Sequence, residues 1–193
     1  MKQTVGSALA TWANAITAGR LLLSPVMFWL IPEDDGGSWV AFVFWFLLSV
    51  SDLVDGYIAR RRGPTRSGAF LDPLADKVLI LGAMFTLVGR DVFWIVPVAI
   101  IAARELVISV YRSVIGTRGV SMPASRAAKY KTLAQQLAVG FALCPLTALD
   151  ATWLWNLCLW AAVVLAVYSA VQYFWRIRTA RANPIIPSDV SIV

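Results

Sequence analysis

Apolar residues run along this chain in six long blocks, roughly 14–32, 38–58, 70–89, 92–114, 128–148 and 151–175, separated by short polar connections. A helix crossing the hydrocarbon core of a bilayer needs about 20 predominantly apolar residues, and each block comes near that length. The pattern therefore predicts six transmembrane helices. Short connections make consecutive helices antiparallel neighbours, so residues 1–176 read as one all-α integral membrane bundle. Beyond Arg176 the chain turns polar, with Asn183-Pro184 and Pro187-Ser188 as turn signals, and 177–193 reads as a tail that is disordered or lies on the surface. The first dozen residues do not look like a secretory signal. Lys2 is the only early charge, the apolar run starts later, and no small-residue cleavage site follows it, so the first span is expected to be retained.

Composition agrees with a membrane protein. Of 193 residues, 59% are apolar and 15% charged, where a soluble domain carries about 45–50% and about 25%. Mean hydropathy is +0.71. The chain has no histidine. That removes His-based triads, HExxH zinc sites, haem-type ligation and histidine proton shuttles, and leaves acid–base or metal chemistry to Asp, Glu, Lys, Arg, Tyr and Cys. Cys144 and Cys158 fit no metal-ligand spacing and read as small core residues. Trp39, Trp94, Trp153 and Trp155 lie near predicted span ends on one side, where interfacial belt positions explain them.

The net charge of +6 is sided. With six spans, every Lys and Arg except Arg90 falls on one side of the membrane. The positive-inside rule places that side, with both termini and the loops near 60–68 and 115–127, in the cytoplasm of a bacterial-type cell. Glu33-Asp34-Asp35 and Asp150 fall outside. Anionic headgroups account for the basic excess, and nucleic acid as a partner would leave the six spans unexplained.

One stretch breaks the apolar pattern with acids. Asp52 and Asp55 stand three apart at the cytoplasmic end of span two; Asp72 and Asp76 stand four apart in the opening turns of span three. Those offsets put each pair on one helix face, and the two helices are joined by a short basic loop. Carboxylates converging at a membrane boundary persist when they protonate or when cations neutralise them. Oxygen-only ligands favour Mg²⁺ or Mn²⁺, and four carboxylates suffice for two ions about 3.5–4 Å apart. An ion-pair network with nearby arginines is the alternative. Gly56, Ala59 and Gly68 lie along the same faces, which suits either a ligand near the backbone or close helix packing. Arg60, Thr65 and Arg66 are phosphate-binding groups.

Asp52-x2-Asp55-Gly56-x2-Ala59-Arg60-x7-Gly68-x3-Asp72-x3-Asp76 resembles the signature of the CDP-alcohol phosphotransferases, with all eight fixed positions present over 25 residues. The resemblance implies a six-helix membrane enzyme, commonly a homodimer, that moves a phosphatidyl-type group from a CDP-linked donor to an alcohol and releases CMP. It implies that Asp52, Asp55, Asp72 and Asp76 hold two divalent cations, with Asp76 also the general base. It further implies nucleotide contacts by Gly56, Ala59 and Arg60, with Thr65 and Gly68 beside them.

Asn14-x2-Thr17-x2-Arg20, Arg104-Glu105-Leu106 and Lys129-x-Lys131-Thr132-x2-Gln135 resemble the bacterial phosphatidylglycerophosphate synthases of that family. This implies CDP-diacylglycerol as donor, with Asn14 and Thr17 on its side of the site, and glycerol 3-phosphate as acceptor. Phosphatidylglycerol, giving cardiolipin, and inositol phosphate are the alternative acceptors; a small transporter is the competing class. Lys129, Lys131 and Arg112 are acceptor-phosphate candidates at the cytoplasmic surface. Arg104, about 12 Å deep by helix rise, must face the bundle or a polar cavity, and either binds that phosphate or makes an interhelical ion pair. Glu105, adjacent on the helix, is expected to point elsewhere.

Overall fold

Each predicted block is helical, the fifth in two pieces. The computed structural model describes residues 5–62, 68–116 and 126–182, with side chains over 17–51, 74–112 and 127–175 and at 178. The long helices are α1 (Val5–Leu30), α2 (Trp39–Arg62), α3 (Gly68–Gly89), α4 (Ile95–Gly116), α5 (Arg126–Leu143) and α7 (Thr152–Ala182), with a single turn, α6 (Pro145–Ala148), between the last two. No strand occurs among the described residues. The chain is all-α.

The helix boundaries have local causes. Block five, expected to be continuous, stops at Leu143. Pro145 biases the preceding residue away from the helical region, and Cys144 sits extended at φ −74°, ψ 118°. Ser38 closes two termini together. Its N–H donates to the Leu143 carbonyl at 2.9 Å, and its Oγ accepts from Ala41 N at 3.5 Å as the cap of α2. Gly37 makes this junction possible: φ is +72°, and a Cβ there would lie 2.6 Å from the Leu143 oxygen. Between α3 and α4, the N–H groups of Val92 and Phe93 both donate to the Leu87 carbonyl, at 3.0 and 3.2 Å. Helix α7 runs to Ala182, so helical structure continues past residue 176.

Helix α3 lies against α1, α4 and α5, while α7 lies against α4 and α5. Met84, Leu79, Trp45, Ile101, Leu143 and Leu159 form the common core. Trp45 Nε1 donates to the Gln136 carbonyl at 3.2 Å, which ties α2 to α5. A Cβ at Gly82 would stand 2.1 Å from Phe28 Cζ, so the α1–α3 contact exists because α3 has no side chain there. At one end of the bundle Arg90 pairs with Glu33 at 3.0 Å.

Polarity is inverted relative to a soluble protein. Leu22, Trp29, Leu47, Leu106, Val110 and Trp175 are exposed, whereas Arg20, Glu105, Lys131 and Gln135 are buried. Soluble monomers rarely expose apolar patches beyond a few hundred Å². By length and composition, Thr152–Trp175 is long and apolar enough to cross a membrane, while Thr17–Leu30 and Trp39–Ser51 are shorter apolar stretches. Charged residues interrupt α3, α4 and α5.

Trp39, Trp94 and Trp153 are exposed as belt residues would be. Trp155 is different: it packs on Phe93 at 5.4 Å between ring centroids and donates to the Ala148 carbonyl at 3.4 Å. Both cysteines are free thiols, Cys144 buried and Cys158 half-buried.

Candidate active site

The motif residues sit on three helices. Asn14 and Thr17 are on α1; Asp52, Asp55, Gly56, Ala59 and Arg60 are on the last turns of α2; Gly68, Asp72 and Asp76 open α3. Helix α1 packs against both α2 and α3. Thr65 lies outside the described residues, as do the side chains of Asn14, Asp52, Asp55, Arg60 and Asp72. Of the four aspartates, the side chain of Asp76 is described.

Asp76 is held from α1. Arg20 Nη1 donates to Asp76 Oδ1 at 2.6 Å, from a guanidinium side chain that is 1% exposed to a carboxylate that is 31% exposed. Thr17, also buried, precedes Arg20 by three residues and shares its helix face. Arg20 would be stranded at this depth without a counter-charge, and the carboxylate supplies it. Arg20 points into the bundle.

A second polar cluster spans four helices. Glu105 on α4 accepts from Lys131 of α5 and, on the same Oε1, from Arg104 Nη1 at 3.1 Å. Arg104 Nη2 donates to Ser169 Oγ of α7 at 2.7 Å. Lys77 of α3 donates to Ser109 Oγ, and that hydroxyl donates to the backbone carbonyl of Glu105. Glu105 and Lys131 are only 6% and 4% exposed. Arg104 and Lys131 thus bond one carboxylate directly and Lys77 is held beside it through Ser109, a formal surplus of two positive charges. Donor capacity also remains. Gln135, one turn beyond Lys131 on the same face of α5, has an unpartnered buried Nε2, and Arg104 has an unpartnered buried Nε.

Two expectations are corrected here. Lys131 is not a surface cation; its ammonium is buried against Glu105. Glu105 does not point away from Arg104. Their Cβ vectors diverge, but long side chains let the tips meet where α5 and α7 supply the remaining partners. The interhelical contact expected of Arg104 is a hydrogen bond to Ser169, and its ion pair lies within α4. Lys129 is exposed, as is Arg112, which stands within electrostatic reach of Lys77.

Sequence reasoning missed Lys77, Glu105, Ser109 and Ser169 as members of this cluster. A signal was present for the first two. Charged side chains inside apolar blocks must face the bundle, and both lie well within theirs. The serines carried none, because a hydroxyl in an apolar helix can also satisfy itself on its own backbone.

The family model for CDP-alcohol phosphatidyltransferase matches residues 10–168. The chain is 34% identical over 173 residues to a CDP-diacylglycerol–glycerol-3-phosphate 3-phosphatidyltransferase of Haemophilus influenzae, covering 82% of this chain and 88% of that one. A protein of the same name from Bacillus subtilis is 34% identical over 178 residues, with 83% and 92% covered. A probable phosphatidylglycerophosphate synthase of Mycobacterium tuberculosis is 36% identical over 175 residues, with 87% and 82% covered.

Proposed function

The chain belongs to the CDP-alcohol phosphatidyltransferase family, and on that premise we propose that it transfers the phosphatidyl group of CDP-diacylglycerol to glycerol 3-phosphate, giving phosphatidylglycerophosphate and CMP. The observation that carries the choice of acceptor is the formal surplus of two positive charges in the partly buried Lys77–Arg104–Lys131 cluster, whose first member directly follows Asp76. A phosphate monoester carries about −1.5 to −2 charge near neutral pH, which matches that surplus. The spare N–H groups of Arg104 and Gln135 suit its oxygens. Exposed Arg112 and Lys129 then lie on the acceptor's approach.

In this reading the acceptor's hydroxyl attacks the phosphorus that bears the diacylglycerol, and the bond to CMP breaks. Asp76 takes the hydroxyl proton, which requires an approach of about 2.6–3.2 Å. Arg20 fixes one carboxylate oxygen and so restricts how the Asp76 carboxylate can turn. Asp52, Asp55, Asp72 and Asp76 would hold Mg²⁺ or Mn²⁺, two ions in all. Their all-oxygen character in a chain without histidine fits hard cations, and the Asp76 carboxylate is open enough to contribute. Such ions supply charge neutralisation on the diphosphate. Gly56, Ala59, Arg60, Thr65 and Gly68, with Asn14 and Thr17, take the donor side.

The same reading makes the six long helices membrane spans, with both termini and the site on the cytoplasmic face and two chains paired as a homodimer. The apolar exterior and charged interior support the membrane assignment. The test is a detergent-solubilised assay with isotopically labelled glycerol 3-phosphate. Label entering the lipid extract only when CDP-diacylglycerol is present supports the proposal; CMP release without label in lipid refutes the acceptor.

A further inference from the structure

Glu105 is the point at which the three cations, buried Lys131 and half-buried Lys77 and Arg104, are joined. Its Oε1 takes Lys131 from α5 and Arg104 from its own helix. Its backbone carbonyl takes the Ser109 hydroxyl, which in turn receives the Lys77 ammonium from α3. Side chain and main chain of one residue therefore draw together basic groups from three helices. Three cations so placed would otherwise repel one another in a medium of low dielectric and spread apart. A carboxylate that neutralised all of them would leave nothing for an anion. One carboxylate against three cations keeps them converged and still leaves a net attraction.

We propose that Glu105 is a positioning residue of the acceptor subsite, an internal counter-ion that keeps Lys77, Arg104 and Lys131 gathered to receive the phosphate of the acceptor. This rests on the reading that these cations bind that phosphate. Before the acceptor arrives, Glu105 stands in for part of its charge; once it is bound, the N–H groups that Glu105 does not use are free for phosphate oxygens. Glu105 touches neither the hydroxyl nor the phosphorus under attack, so its influence falls on acceptor affinity.

The experiment compares KM for glycerol 3-phosphate and for CDP-diacylglycerol in full-length wild type, Glu105→Gln, Glu105→Asp and Ser109→Ala. Glu105→Gln keeps the shape and removes the charge. It is expected to raise the acceptor KM by at least about tenfold, with the donor KM held within about twofold, because loss of convergence misplaces several contacts at once. Glu105→Asp restores the charge at shorter reach and recovers part of the loss. Ser109→Ala cuts only the Lys77 arm, one charge-assisted hydrogen bond, and raises the acceptor KM by at least about threefold. A purely structural role gives less folded enzyme with both KM values in place, and that result overturns the proposal. If Glu105→Gln does not fold, an unchanged acceptor KM in Ser109→Ala overturns it equally. Failure of the underlying reading looks different, because then the wild type itself shows no response to glycerol 3-phosphate.

Discussion

Arg20 and Asp76, 56 residues apart, are joined by a 2.6 Å contact between Nη1 and Oδ1 that fastens the first helix to the third at the centre of the candidate active site. The guanidinium is almost wholly enclosed, and the carboxylate is part open. The arginine is thus enclosed within the bundle, while the aspartate is partly accessible from outside it. Breaking such a pair leaves a buried charge without its partner.

Arg20→Met is expected to lower kcat by about 100-fold, since the carboxylate loses its fixed direction. The same variant should unfold at lower temperature in detergent, because removing one partner of a buried pair costs about 3–5 kcal/mol, with the open side of Asp76 placing it toward the low end. Arg20→Lys should restore thermal stability further than activity, as an ammonium lacks the planar fork. Full activity in Arg20→Met would show that Asp76 needs no support from α1.

Asp76→Asn is expected to abolish turnover while CDP-diacylglycerol binding largely survives, because the amide keeps the shape and cannot accept the hydroxyl proton. Single-turnover CMP release and equilibrium donor binding, measured on one preparation, separate the two effects. Unimpaired turnover would remove Asp76 as the base.

Chelation of divalent cations should stop CMP release, with activity returning on addition of Mg²⁺ or Mn²⁺. The expectation rests on four aspartates, of which Asp52, Asp55 and Asp72 carry no other role in the proposed chemistry. Persistent release in excess chelator would contradict it.

Gly82→Ala tests the fold apart from the chemistry. Its Cβ would stand 2.1 Å from Phe28 Cζ, so α1 and α3 must part or the ring must turn. Overpacking of this kind costs about 1–3 kcal/mol, read as a fall in thermal stability. Combining it with Phe28→Ala should cost less than the two changes summed, since each relieves the other.

Much of the fold was legible because long apolar blocks between short polar connections announce helices. The blocks at 38–58 and 70–89 correspond to α2 and α3 with small shifts at their ends. The break at Pro145 was hidden by apolar residues on both sides, although the proline itself carried the signal. At the site, aspartate spacing exposed the motif, since four acids in apolar surroundings have few explanations. The acceptor side was harder. Lys131 and Lys129 look equivalent two residues apart, yet one is buried and the other exposed. The helix face that meets Glu105 decides this, and that face depends on how α4 and α5 pack rather than on either helix alone.

The central claim is the identity of the acceptor, and a screen of CMP release tests it most directly. The purified protein is supplied with CDP-diacylglycerol and Mg²⁺, then with glycerol 3-phosphate, inositol phosphate or phosphatidylglycerol in turn. The account predicts release with glycerol 3-phosphate well above that with either alternative; preference for inositol phosphate or phosphatidylglycerol, or release indifferent to the acceptor, would contradict it.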